Sequence, residues 1–159
     1  MIEFKEKLEL DITQVNLRRD VVNFLEPFDF NRLFFLADRN EEQFTSVGEH
    51  SCKLRNLQAT KVGQDFESAV KNIFNYNGEK IDTYVFASFS KRGITPNHVD
   101  TMTVFLIPVY GDVVYNVYTE KEQHYFLVKK GDILTIPRDV VHSAIPLNPR
   151  IVVSVGVYN

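Results

Sequence analysis

Gly131-Asp132-Ile133-Leu134-Thr135-Ile136-Pro137-Arg138-Asp139-Val140-Val141-His142 is the stretch on which the reading of the fold turns. A glycine-led turn feeds a short apolar run, and Pro137 ends it, because proline has no N–H to give to a β-ladder. Short runs rich in Val, Ile, Tyr and Phe recur around it: Thr83–Phe89, Met102–Val109, Val113–Tyr118, Tyr125–Val128 and Arg150–Tyr158. Gly93, Gly111-Asp112 and Pro146 punctuate them. Turn signals at this spacing predict a mainly β sandwich or barrel rather than strands alternating with helices.

Upstream of residue 81 the pattern is mixed. Leu8-Glu9-Leu10-Asp11-Ile12 alternates like a strand, and the apolar run from Phe30 to Ala37 reads as another. Phe66, Val70, Ile73 and Phe74 share one helical face between Gly63 and the stop signal Asn77-Gly78, which predicts a helix packed on a sheet. The expected organisation is one domain over 1–159, with an N-terminal extension of strands and a helix over 1–80 and a barrel core over 81–159.

Composition is consistent with that. With 159 residues and 44% hydrophobic content, one core is expected to bury roughly 68–70% of the unfolded surface. A net charge of -3 with scattered basic residues gives no electrostatic reason to expect nucleic acid or an anionic membrane as partner. Cys52 is the sole cysteine, so no internal disulfide forms, and the opening residues lack the apolar run of a signal peptide. A cytoplasmic, reducing setting is the expectation. Barrel edges and the helix are candidate contacts for a homodimer.

His98, Asp100 and His142 are the candidate metal ligands and catalytic centre. On an extended segment, residues two apart project to one face, so His98 and Asp100 can converge on an ion while Val99 points away. His142 would then come from a distant strand. Two imidazoles and one carboxylate on one side of an octahedron leave the other side open for substrate and dioxygen, the arrangement of mononuclear non-haem Fe(II) sites. The competing reading is a surface turn after Pro96 in which Asp100 only caps.

The spacing Gly131, five residues, Pro137, four residues, His142, together with Gly93, His98-Val99-Asp100 and Gly111, resembles the two motifs of the cupin superfamily. Within it, Thr95-Pro96-Asn97-His98-Val99-Asp100, then Val104-Phe105-Leu106 and Gly111, resembles the JmjC-like Fe(II)/2-oxoglutarate oxygenases, over residues 81–158. The resemblance implies a double-stranded β-helix, the cupin or jelly-roll barrel. It also implies a dioxygenase with Fe(II) and the cosubstrate 2-oxoglutarate, hydroxylating a small-molecule or protein substrate with release of succinate and carbon dioxide. Thr95, and Tyr84 on the preceding strand, would face the cosubstrate. Other metal-binding cupins (a small-molecule dioxygenase, an isomerase) and a non-catalytic ligand-binding cupin are the alternatives.

Two departures matter. The relatives' Lys or Arg shortly after the glycine matching Gly111 is replaced by Asp112-Val113-Val114, and Arg150, at the head of the last strand, is the candidate stand-in. A guanidinium grips a carboxylate through two parallel charge-assisted bonds. The motif's glycine two residues after Pro137 is Asp139, which predicts an altered turn. Each role has a plainer alternative: a surface ion pair for Arg150, a steric preference before Pro96 for Thr95, a buried structural ring for Tyr84. Phe105, Leu106 and Ile107 are candidates for the floor of the site. His50, beside Cys52, and His124, amid Glu120-Lys121-Glu122, read as loop or turn residues.

Overall fold

The computed structural model describes residues 2–5, 12–39, 44–47, 49–55, 57, 60–74, 80–120 and 122–158. Its elements are β1 (Ile2–Phe4), β2 (Asn16–Arg18), β3 (Val22–Phe24), α1 (Phe30–Asp38), β4 (Phe44–Ser46), β5 (Ser51–Leu54) and α2 (Lys61–Phe74). They continue as β6 (Ile81–Ser88), β7 (Thr95–His98), β8 (Thr103–Tyr110), β9 (Val113–Tyr118), β10 (Gln123–Val128), β11 (Ile133–Ile136), β12 (Val141–Pro146) and β13 (Arg150–Val157).

From β6 onward the chain winds between two antiparallel sheets. One runs β2-β11-β8-β13-β6-β5-β4 and the other β10-β9-β12-β7. Successive strands cross from sheet to sheet, and only the β9–β10 hairpin doubles back within one. That winding is the expected double-stranded β-helix of a jelly roll. The hand-over from β8 to β9 is made at Gly111, with φ 70°. A Cβ there would stand 2.2 Å from the Pro149 carbonyl oxygen, so only glycine lets this turn lie against the head of β13.

Because residues alternate across a strand, the seven-stranded sheet has two buried faces. Phe105, Ile107, Ile133, Val153 and Val155 pack with Val85, Cys52 and Leu54 against Leu33, Leu36, Phe66 and Val70 of the two helices. Val104, Leu106, Leu134, Ile136 and Val152 face the smaller sheet and meet Val113, Tyr115, Val117 and Ala144. Burial on both faces explains why β8 and β13 read as continuous apolar runs rather than alternating ones.

The expected strand from Phe30 to Ala37 is instead α1. Asp29 caps it, its carboxylate accepting the Arg32 N–H at 3.0 Å, and Leu33 and Leu36, three apart, are the positions it buries. Surface phenylalanines Phe34 and Phe35 fill the gaps in that helical stripe, so the sequence loses its period. Helix α2 starts earlier than expected, at Lys61, with the Thr60 hydroxyl accepting the Gly63 N–H. Phe66 and Val70 are buried as predicted; the side chains of Ile73 and Phe74, and Asn77-Gly78, lie outside the described residues, as does Leu8–Asp11, while Ile12 sits in a turn. None of the described helices is long and apolar enough to cross a membrane.

Candidate metal centre and its cavity

Neither ligand-bearing strand was evident from apolar patterning. β7 is Thr95-Pro96-Asn97-His98, and β12 begins at Val141 on the far side of the Pro137 turn. They pair antiparallel with His142 opposite His98, which brings the two imidazole centroids to 4.3 Å. Asp100 follows β7 by two residues. The ligand-capable atoms of His98, Asp100 and His142 all lie within 4.8 Å of one another, and His142 Nε2 is 3.4 Å from Asp100 Oδ2. Adjacent ligands of a metal bound at about 2.1 Å stand roughly 3 Å apart, so this donor set fits one small divalent ion.

Both rings are oriented in the same way. His98 Nδ1 lies 2.9 Å from the Pro96 carbonyl oxygen and His142 Nδ1 lies 2.9 Å from that of Val140. A carbonyl only accepts, so each Nδ1 carries the proton and each Nε2 presents its lone pair to the ion, the usual outer support of a metal-binding histidine. Burial opposes ionisation of Asp100, but when the imidazoles carry a second proton, on Nε2, the hydrogen bond and charge of His142, with the charges of His98 and Lys53, outweigh it and hold the carboxyl below its ordinary range.

The Pro137 turn keeps a glycine-like geometry without a glycine. Asp139 takes φ 62°, and its N–H donates to the Asp100 carbonyl oxygen at 2.9 Å, tying the turn to the segment after β7. Aspartate tolerates the left-handed region better than most residues, so the turn forms here without the motif's glycine.

The three residues open into a cavity of about 120 Å³ between the sheets. Thr95 and Tyr84 both line it, as expected. Leu106 does too, with Val104, but Phe105 and Ile107 do not; they project from the opposite face of β8 toward the helices, which removes them as floor residues. Arg150 reaches the cavity from β13 and is buried. Its Nε donates to Ser88 Oγ at 3.4 Å, and Ser88 in turn donates to the Gly93 carbonyl at 3.1 Å. Arg150 also hydrogen-bonds Tyr115, whose hydroxyl pKa burial pushes up and the guanidinium partly offsets. Val113, at the position of the missing cation, is fully buried.

Sequence reasoning missed Lys53, Ser88, Tyr115 and Ser154. Lys53 comes from β5, within the N-terminal extension, yet lines the cavity. The alternation of Ser51-Cys52-Lys53-Leu54 carries the signal, because Cys52 and Leu54 are buried under the helices and the residues between face inward. His50 lies in a bend 3.9 Å from Glu49, and His124 stands on β10 rather than in a turn, 3.8 Å from Glu122; neither joins the cluster.

No protein-family model and no curated protein matches the sequence. Among solved structures, the ribosomal oxygenase YcfD from Escherichia coli superposes with a TM-score of 0.72 at 19% identity, over 90% of this chain and 47% of that one. The same oxygenase in complex with cobalt and 2-oxoglutarate gives 0.71 at 18% identity, again over 90% and 47%. An oxalate decarboxylase variant from Bacillus subtilis gives 0.56 at 12% identity, over 74% of this chain and 28% of that one. The chain therefore spans about half the length of the YcfD structures it matches. At these identities the likeness shows the fold: the cupin barrel expected from the motifs is present.

Proposed function

We propose that the protein is an Fe(II)- and 2-oxoglutarate-dependent oxygenase that hydroxylates its substrate with release of succinate and carbon dioxide. The observation that carries this is a single cavity with His98, Asp100 and His142 on one wall and the buried Arg150 on the facing sheet. The fold it shares with an oxygenase solved with cobalt and 2-oxoglutarate supports the reading.

Iron, when bound, would supply the oxygen chemistry; the chain supplies orientation, charge and dryness. Pro96 and Val140 hold the two imidazoles with Nε2 inward, and Asp100 contributes one negative charge to a dication. Arg150 can pair with the distal carboxylate of 2-oxoglutarate, itself kept in place by Ser88 and Tyr115, in the role that Asp112-Val113-Val114 leaves unfilled. Thr95 and Tyr84 offer hydroxyls along the wall. Phe86, Met102, Val104, Leu106 and Ala144 keep water from the reacting groups.

The test is anaerobic titration with Fe(II) followed by 2-oxoglutarate. A visible charge-transfer band should appear, with succinate formed on admitting air. His142→Ala should weaken metal binding by at least about 100-fold, since it removes a ligand rather than a ligand's support. Arg150→Met should retain the metal and weaken 2-oxoglutarate by roughly 10- to 100-fold, the value of a charge-assisted pair. Metal binding with neither band nor succinate would reject the oxygenase and leave a metal-binding cupin of other chemistry.

A further inference from the structure

Lys53 is the one cationic residue of the cavity for which that reading has no task among the described residues. Its ammonium lies 4.1 Å from the centre of the Tyr84 ring and 4.8 Å from that of Phe86. No carboxylate of the described residues is within ion-pair distance of it. Burial holds its pKa below the ordinary lysine value, Arg55 adds to this, and Asp100 and Asp82 partly oppose it. Half-burying a cation with no carboxylate in contact is costly, and stacking on aromatic rings offsets only part of that cost. Such an arrangement favours an anion beside the ammonium.

We infer that Lys53 anchors a carboxylate of the substrate, so that the molecule hydroxylated is a small monocarboxylate or a residue presenting one. The inference rests on the oxygenase reading and deepens it. Charge balance is its first support. A divalent metal, Arg150 and Lys53 face the single negative charge of Asp100, and doubly charged 2-oxoglutarate leaves one positive charge over. A singly charged group completes the balance, whereas a phosphate monoester, near -2 at neutral pH, would exceed it. Position is the second. Lys53 stands in the ladder opposite Phe86, and Arg150 opposite Ser88, two residues further along β6. Both line the same cavity, Lys53 from β5 and Arg150 from β13, on either side of β6. With Arg150 assigned to the cosubstrate, Lys53 is left on the wall of the same cavity for a second anion.

Calorimetry on the full chain loaded with redox-inert Zn(II) and saturating 2-oxoglutarate tests this, with propionate and its neutral isostere propionamide as probes. Propionate should bind at least about tenfold more tightly than propionamide, and Lys53→Met should remove that preference. Lys53→Arg should restore it, and 2-oxoglutarate affinity should stay within about twofold in both variants, whose thermal midpoints report intact folding. Equal binding of the two probes, or propionate binding unchanged in Lys53→Met, overturns the inference. So does a Lys53→Met variant that loses 2-oxoglutarate instead, which would make Lys53 a cosubstrate anchor. A wild-type protein that binds Zn(II) but no 2-oxoglutarate brings down the oxygenase reading itself, a result distinct from the others.

Discussion

The two faces of the seven-stranded sheet are made by alternate residues of the same strands and have opposite characters. On β13, Ile151, Val153, Val155 and Val157 form an apolar layer under the helices, while Arg150, Val152 and Ser154 line or border the cavity. On β6, Val85 and Ala87 pack outward, and Tyr84, Phe86 and Ser88 look inward. The outer face is continuous hydrophobic packing. The inner face interrupts its apolar surface with a guanidinium, an ammonium and hydroxyls, each set where a ligand can reach it. Stability and chemistry are thus separated by one residue of register.

The largest expected consequence lies on the outer face. Phe105 is fully buried between β8 and the helices. Phe105→Ala should lower unfolding free energy by about 3–5 kcal/mol in urea titration, through lost transfer energy and the cavity left behind. Metal affinity of the fraction still folded should be unchanged. A loss of metal binding without a loss of stability would show that the two faces are not independent.

A smaller and opposite split is expected at Ser154, the inward neighbour of Val153. Ser154→Val places two more carbons in the cavity without unpacking the helical layer, and stability should stay within about 1 kcal/mol of wild type. Binding of 2-oxoglutarate to the metal-loaded protein should fall several-fold, on the order of 1 kcal/mol, because the added methyls occupy ligand space. Equal affinity would place the ligand elsewhere along the wall.

This separation also accounts for what the sequence disclosed. Strands buried on both faces, β8, β11 and β13, announce themselves as apolar runs, and their limits were read to within a residue or so. The metal-bearing strands β7 and β12 do not. Thr95-Pro96-Asn97-His98 has no apolar side chain besides proline, and only motif spacing pointed to His98, Asp100 and His142. Arg150 was found because a cation was missing elsewhere. Lys53 was missed because β5 is four residues long and follows a segment without recognisable pattern, so nothing local signalled that it joins β6. In α1 the phenylalanines exposed at the surface masked the helical period.

The subtlest expected contrast concerns Cys52 and Lys53, neighbours on β5 that point to opposite faces. Cys52 is buried under the helices, and desolvation pushes its thiol up to about 11, an N–H from Ala87 opposing only slightly. At pH 7.5 roughly one thiol in three thousand would then be ionised, and the thiolate is the reactive form. Iodoacetamide should therefore leave the native protein unmodified over hours and label it at once in urea, so that labelling reports unfolding. The sign of the pH effect is set by the raised value. Below pH about 9 both folded and unfolded thiols are protonated and this group is neutral to stability; between about 9 and 11 the unfolded thiol ionises first, and stability falls. In a Cys52→Ala, Lys53→Cys variant the single thiol moves to the cavity face, and labelling of the folded protein should become measurable at pH 7.5. Rapid labelling of wild-type Cys52 under native conditions, or no labelling of the shifted thiol, would place β5 in a register that reverses its two faces.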